Sequence, residues 1–306
     1  MGDTPAISIQ HLKKYYGPLK ALDGIHLEVK KGDFFGFLGP NGAGKTTTIN
    51  VLTGLAQYEG DVRIFGRDIE KDYQATRRMI GLSPQEFNFD PFMTAQNVLV
   101  YAAGYFGIPR KIALERAHHL LDMFGLLEKK DVLNRSLSGG MKRKLTVARA
   151  LIHQPRILIL DEPTAGMDVE LRHSLWAHLR ELNKQGTTIF LTTHYIEEAE
   201  QLCNRIGIIH QGKIIACDDK KALMRQLSKE TIHIELERPL TSLPQEILEN
   251  GYDLEFHDRH LTVKCAEAAP EMMKILNLFA KHRIRIKNVD FTKESLETIF
   301  LRLTGA

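Results

Sequence analysis

The stretch Gly39-Pro40-Asn41-Gly42-Ala43-Gly44-Lys45-Thr46-Thr47 constrains the fold of this chain more than any other. It fits the pattern G-x-x-x-x-G-K-[ST], with an apolar run, Phe34 to Leu38, before it and Thr47-Thr48-Ile49-Asn50-Val51-Leu52 after it. The context is therefore strand, glycine loop, helix, as a phosphate-binding loop requires. Gly39, Gly42 and Gly44 let the backbone take positive φ and turn successive N–H groups toward one point, where the helix N-terminus adds partial positive charge. Pro40, Asn41, Ala43 and Thr47 complete that cradle. Lys45 is expected to reach the β and γ phosphates of a nucleotide, and the Thr46 hydroxyl to ligate Mg²⁺. The plainer alternative, a glycine-rich turn with a chance Lys-Thr, does not explain why strand, loop and helix agree.

Composition narrows what surrounds the loop. At 306 residues the chain suits one large and one small domain. A formal net charge of +3, with Lys and Arg scattered, does not point to nucleic acid. Cys203, Cys217 and Cys265 are odd in number and lack C-x-x-C spacing, which favours reduced, mostly buried thiols of a cytosolic protein over disulfides or zinc. No apolar run approaches the roughly 20 residues of a spanning helix, and Met1 to Pro5 lacks a signal-peptide layout. Any membrane involved belongs to a partner.

Upstream of the loop, Ile7 to Leu12 and Leu22 to Val29 alternate with period two, predicting an antiparallel edge sheet. Between them Lys13 to Pro18 reads as a turn displaying aromatics, with Tyr16 a candidate adenine stacker rather than a core tyrosine. Downstream, Asp61 to Phe65 and Gly66-Arg67-Asp68 read as a hairpin and Ile80 to Ser83 as a short strand ahead of Gln85. Glu86 to Met93 then interleaves acids with aromatics, which is unusual for a solvent loop. Thr94 to Phe106 and Lys111 to Leu127 look helical, the second with Ile112, Leu114, Ala117, Leu120, Leu121 and Phe124 on a stripe; His118 and His119 are expected there as solvated or core histidines, not ligands.

Ser138 is an N-cap choice, and Gly139 and Gly140 expose N–H groups at a helix start, a second anion site that one phosphate loop does not need. Leu137-Ser138-Gly139-Gly140 resembles the signature of ATP-binding-cassette (ABC) ATPases, and Arg156 to Pro163 is similar to the family's Walker B strand, an apolar run ending in Asp161 and Glu162. The resemblance continues through Ala165-Gly166-Met167-Asp168, the D-loop position, and Leu191-Thr192-Thr193-His194, the switch-histidine position, covering Ile7 to about Arg225. Met141 and Met167 depart from the commonest motifs, where Gln and Leu stand, and neither touches a phosphate ligand. The wording around Gln85, the run Ser138 to Arg143 and the ending Ser295 to Thr304 look like ATPase subunits of type-2 ABC exporters, most of all the YadG-like group.

The resemblance implies an α/β fold: a P-loop ABC-type ATPase with a RecA-like parallel sheet core, an antiparallel β subdomain and a helical subdomain, spanning residues 1–227. After Leu227 the order β-α-β-β-α-β predicts a small C-terminal α+β ferredoxin-like domain, residues 228–306, with strands at Thr231 to Leu236, Tyr252 to Phe256, Leu261 to Lys264 and Ile284 to Val289, and helices at Leu243 to Glu249 and Glu271 to Lys281. A last helix carries Leu296, Ile299, Phe300 and Leu303. The expected role of this domain is dimer contact or stability.

The family's architecture further implies that ATP lies between two copies of the chain, the phosphate loop of one facing Ser138, Gly139 and Gly140 of the other. Thr46, Gln85 and Asp161 are then the Mg²⁺ residues, Glu162 the proton acceptor, and His194 and Gln85 its companions in catalysis. The implied partners are a second copy and membrane-embedded permease subunits docking near Glu86 to Met93, with no nucleic acid. The implied place is the cytoplasmic face of the inner membrane, peripherally bound. Two other readings are a soluble ABC ATPase acting on ribosomes or nucleic acid, whose relatives carry two cassettes or a long coiled coil, and an importer ATPase, whose relatives usually append small β-barrels.

Overall fold

The computed structural model describes residues 4–248, 253–265 and 268–305. Glu249 and Tyr252, expected to end a helix and open a strand, lie outside them, as does the start of Met1 to Pro5. The chain divides into two compact units, Met1–Lys220 and Lys221–Ala306.

In the first unit, β1 (Ile7–Tyr16) and β2 (Leu19–Val29) pair antiparallel. The expected turn Lys13 to Pro18 shrinks to Gly17-Pro18, because Tyr15 and Tyr16, good strand formers, continue the ladder against Lys20 and Leu19. After β3 (Phe34–Leu38) and α1 (Lys45–Leu52), β4 (Glu59–Ile64) pairs with β1 and turns at Phe65-Gly66 into β5 (Arg67–Asp68). These antiparallel strands form their own sheet, ordered β2-β1-β4-β5, rather than an edge of the sheet holding β3.

Then come α2 (Tyr73–Met79) and β6 (Ile80–Ser83), followed by a helical stretch of α3 (Ala95–Tyr105), α4 (Arg110–Met123) and α5 (Gly139–Leu151). Along α4 the stripe Ala113, Ala117, Leu120, Leu121 is buried, and Phe124 just beyond it as well, while Ile112, about 100° out of phase, is exposed. His118 and His119 are exposed, His118 Nε2 lying 2.7 Å from Gln96 Oε1.

The remaining elements of this unit are β7 (Ile157–Asp161), α6 (Val169–Lys184), β8 (Thr188–Thr193), α7 (Ile196–Leu202), β9 (Arg205–His210) and β10 (Lys213–Asp219). They complete a second sheet, ordered β10-β9-β3-β8-β7-β6, parallel except for β10. β3, β7 and β8 are buried along their whole length, as strands covered on both faces must be. Phe190 packs against Phe35 and Phe37, with ring centroids 5.6 and 5.5 Å away. Of the cysteines only Cys203 is buried; Cys217 faces outward from β10, which corrects the expectation of mostly buried thiols, and Cys265 is half-buried.

α8 (Lys220–Leu227) opens at the division between the units, and the boundary expected after Leu227 stands at its other end. In the second unit β11 (Glu230–Leu236), α9 (Gln245–Leu248), β12 (Asp253–His257), β13 (His260–Cys265), α10 (Ala268–Lys281) and β14 (Ile286–Lys293) follow in order. The sheet is ordered β12-β13-β11-β14 and is antiparallel throughout, the ferredoxin-like arrangement. β14 begins two residues later than expected, since Arg283, with φ of 56°, is still turning the chain. Ile232, Ile234, Leu261 and Val263 on the inner face pack with Ile275 and Phe279. α11 (Leu296–Thr304) is capped by Ser295 and buries Leu296, Ile299 and Phe300, with Leu303 half-buried.

Removing the Phe190 ring leaves a void between two aromatic neighbours in a fully buried sheet, so Phe190→Ala should cost about 3–5 kcal/mol. Chemical denaturation of the full chain, followed by the fluorescence of its single tryptophan, Trp176, in the same unit, measures this.

Candidate functional site

Because β3, β8, β7 and β6 are parallel neighbours, their carboxyl ends share one edge of the sheet: Leu38 stands opposite Thr193, Asp161 opposite Thr192, and Ser83 opposite Leu160. The segments leaving those ends carry the phosphate loop, His194, Glu162 and Gln85. A crevice outside the carboxyl ends of such strands is where open α/β sheets bind ligands.

In the loop, Gly44 takes φ of 114° as N-cap of α1, and a Cβ there would stand 2.9 Å from the Ala21 carbonyl. Only glycine meets both demands. Lys45 is 5% exposed, and its Nζ donates to the carbonyls of Gly39 at 2.7 Å and Pro40 at 3.2 Å. Burial pushes this ammonium below its ordinary pKa, and the charges of Glu162 and Asp161 pull it back up.

Asp161 ends β7, buried. Its Oδ1 accepts from Thr192 Oγ1 at 2.5 Å and its Oδ2 from Thr46 Oγ1 at 3.3 Å. Burial raises its carboxyl above the ordinary value; the Thr192 bond lowers it, the charge of Glu162 raises it, and Thr46 and Lys45 lower it. A buried carboxylate with a hydroxyl and further acceptor capacity beside it invites a cation. Thr46 and Asp161 would offer a cation hard oxygens, and Gln85, which lines the same cavity as Thr46, would offer its carboxamide oxygen; a set with a single carboxylate fits Mg²⁺, an ion held by few protein ligands together with phosphate oxygens.

Glu162 follows with φ of 47°, a left-handed backbone that costs a non-glycine residue about 1–2 kcal/mol. The turn aims its side chain back at the loop. Glu162 Oε2 accepts from Gln85 Nε2 at 3.2 Å, while Oε1 lies 3.2 Å from His194 Nδ1 and 3.7 Å from Lys45 Nζ. Three groups from three strand ends thus converge on one carboxylate.

A cavity of about 650 Å³ opens beside this cluster, walled by Asn41, Gly42, Gly44 to Thr47, Gln85 and Glu162. The end of β1 adds Tyr16, 47% exposed, and the start of β2 adds Leu19 and Lys20, which carry no signal in the sequence. Gln211, from the β9–β10 turn, also lines it and left no signal, since its closeness comes only from the sheet order. Thr192, which holds Asp161, was legible only as part of the run before His194.

Ser138, Gly139 and Gly140 stand apart from that cavity. Ser138 caps α5, its Oγ accepting from Met141 N at 3.2 Å. A Cβ on Gly140 would come within 2.4 Å of Leu171 Cδ1, so the first turn of α5 lies almost in contact with the first turn of α6. After Gln85, Phe87 and Phe92 are exposed as a docking patch would be, whereas Phe89 is half-buried with the Arg149 guanidinium 4.7 Å from its ring.

The profile of the ABC transporter family matches residues 22–165. The linearmycin resistance ATP-binding protein LnrL of Bacillus subtilis is 35% identical over 98% of this chain and 98% of its own length. The Nod factor export ATP-binding protein I of Ralstonia nicotianae is 36% identical over 100% of this chain and 95% of its own. Among solved structures, a dimeric ATP-binding cassette in a post-hydrolysis state bound to ADP and Pi superposes with a TM-score of 0.63 at 28% identity, covering 70% of this chain and 98% of that one.

Lys45→Ala removes the buried ammonium of the loop and should weaken ATP binding by more than the tenfold that about 1.4 kcal/mol represents. Equilibrium titration of the purified chain with ATP decides; a Kd within about a factor of two of the unaltered protein contradicts this reading of the loop.

Proposed function

The chain belongs to the ATP-binding proteins of ABC transporters, and from that premise we propose that it is the ATP-hydrolysing subunit of an exporter, working as a pair with a second copy and driving separate membrane-embedded permease subunits. The observation carrying this reading is the convergence of Lys45, Gln85 and His194 on Glu162 beside the phosphate loop. Two relatives are named for export and for resistance, which favours an exporter over a soluble ABC ATPase on ribosomes or nucleic acid.

Tyr16 stacks the adenine, and Lys45 and the loop amides hold the β and γ phosphates. Thr46, Asp161 and Gln85 would hold Mg²⁺, which when bound offsets charge on the phosphate oxygens. Glu162 takes a proton from water as the water oxygen bonds to the γ-phosphorus. The bond from that phosphorus to the β–γ bridging oxygen breaks, and ADP and phosphate result. His194 orients one carboxylate oxygen and Gln85 the other.

Ser138 and the Gly140 amide, with Gly139 between them, meet the γ-phosphate of ATP held by the second copy. Each charge-assisted hydrogen bond contributes roughly 1.5–3 kcal/mol, so two per site and two sites give about 6–12 kcal/mol. That exceeds the ~5.5 kcal/mol that turns a 1:99 open-to-closed population into 99:1. ATP binding closes the pair and loss of the γ-phosphate reopens it.

Among the described residues no helix is long and apolar enough to cross a membrane. The pathway is assigned to the permease, with this chain held peripherally at the cytoplasmic face of the inner membrane. Glu86 to Met93 form the socket for a helix of the permease: Phe92 is 68% exposed among acids, and exposed aromatics mark interaction surfaces.

Glu162→Gln should keep ATP binding while arresting the closed pair, since it removes the base and leaves Lys45, Thr46 and Asp161 in place. Light scattering with ATP and Mg²⁺ should report a stable dimer; turnover at the unaltered rate would remove Glu162 from its role. Phe92→Glu puts a charge on an exposed ring position, so hydrolysis by the isolated chain should stay within about twofold while co-purification with the permease from detergent-solubilised membranes is lost. Undiminished retention would move the socket elsewhere.

A further inference from the structure

The segment from Pro84 to Met93 is tied along its length to α5 and to the turn before it. Arg143, one turn into α5 and 4% exposed, donates from Nη1 to the Pro84 carbonyl at 3.0 Å and holds its guanidinium 4.8 Å from the centre of the Phe87 ring. Arg149 repeats the arrangement farther along, donating to the Asn88 carbonyl at 3.0 Å and lying over Phe89. Asn134 Nδ2 donates to the Asp90 carbonyl at 3.1 Å. The two contacts of Arg143 bracket Gln85: the carbonyl immediately before it and the ring two residues after it.

Packing alone does not account for Arg143. Its Nε is buried without a hydrogen-bond partner, a cost that an apolar side chain in the same place avoids. Burial lowers the basicity of the guanidinium and the charges of Asp161 and Glu162 raise it, so the cation that holds the Gln85 loop through Pro84 and Phe87 also lies within the field of the two carboxylates.

We propose that Arg143 is the positioning residue for Gln85: it fixes the carboxamide against Glu162 and makes the Gln85 loop follow any movement of the helix that begins at Ser138. This rests on the roles of Gln85 and Glu162 given above. Glu162 Oε2 accepts from Gln85 Nε2, so a loop released at Pro84 and Phe87 leaves one oxygen of the base unheld.

The test uses the purified full chain and the variants Arg143→Lys, Gln85→Ala and the two combined. Lysine keeps the charge but has neither the fork nor the ring stacking, so Arg143→Lys should lower kcat roughly tenfold while the Kd and KM for ATP stay within about twofold. Amide hydrogen exchange over 85–90 should quicken in the same variant without nucleotide, a readout independent of turnover. With Gln85 already replaced by Ala, Arg143→Lys should change kcat by less than about twofold, because its effect runs through the missing carboxamide. Equal loss of kcat in both backgrounds, or unchanged kcat and exchange in the single variant, overturns the inference. Unaltered kcat in Gln85→Ala alone would instead remove the role of Gln85 on which the inference stands. If Arg143→Lys does not fold, Phe87→Leu on the exposed ring decides: faster exchange over 85–90 with a lower kcat supports the bracket, and no change in either sinks it.

Discussion

The parallel pairing of β3, β8, β7 and β6 is the constraint on which the rest of this molecule depends. Parallel neighbours lie about 4.8 Å apart, so four loops leaving adjacent carboxyl ends emerge within side-chain reach of one another. Lys45, His194, Glu162 and Gln85 come from those four exits and meet without any long excursion of the chain. The rings of Phe35, Phe37 and Phe190 on the central pair, together with burial along β3, β7 and β8, hold that register. A slip by one residue would carry each strand's side chains to the opposite face of the sheet and scatter the cluster.

Electrostatics then sets what this edge can hold. Lys45, Asp161 and Glu162 are all buried, and two carboxylates against one ammonium leave an excess of negative charge among them. Thr192 and Thr46 donate to Asp161 and lighten that excess without cancelling it. A divalent cation beside Asp161 would offset that excess, and the phosphates would find their counter-charges in that cation, Lys45 and the loop N–H groups. The left-handed backbone at Glu162 belongs to the same design: it spends about 1–2 kcal/mol to turn the carboxylate away from the strand direction and into the crevice.

Much of this was legible in the residues because the chemistry is carried by short, contiguous runs at strand ends. Gly39 to Thr47 announces strand, loop and helix by composition alone, and Ser138 announces a cap. What escaped was what only three-dimensional adjacency creates. Leu19, at the start of β2, and Gln211, in the β9–β10 turn, reach the cavity through three-dimensional packing that their sequence neighbours do not announce. The turn expected over Lys13 to Pro18 narrows to its glycine-proline pair because Lys13, Lys14, Tyr15 and Tyr16 all pair across to β2. Ile112 was misplaced because a stripe read from hydrophobicity does not say where a helix begins its phase, and Cys217 because an edge strand exposes one face whatever its residues are. Arg143 and Arg149 carry no signal in the sequence for the loop that lies across them, since their carbonyl partners at Pro84 and Asn88 are 59 and 61 residues away along the chain.

That loop and that helix tie the proposed second anion site to the first. The first turn of α5 approaches α6 so closely that a Cβ on Gly140 would push the end of the Leu171 side chain aside, and the Leu171 N–H donates to Asp168 Oδ1 at 2.8 Å. One turn later Arg143 grips the carbonyl before Gln85. Interiors packed at crystal-like density respond to displacement by moving connected groups together rather than by absorbing it locally. Under the proposed function, an anion held at Ser138 would therefore pull on the segment after Glu162 through Leu171 and on the segment before Glu86 through Arg143. Both lead to the same carboxylate, so its alignment would follow what Ser138 binds.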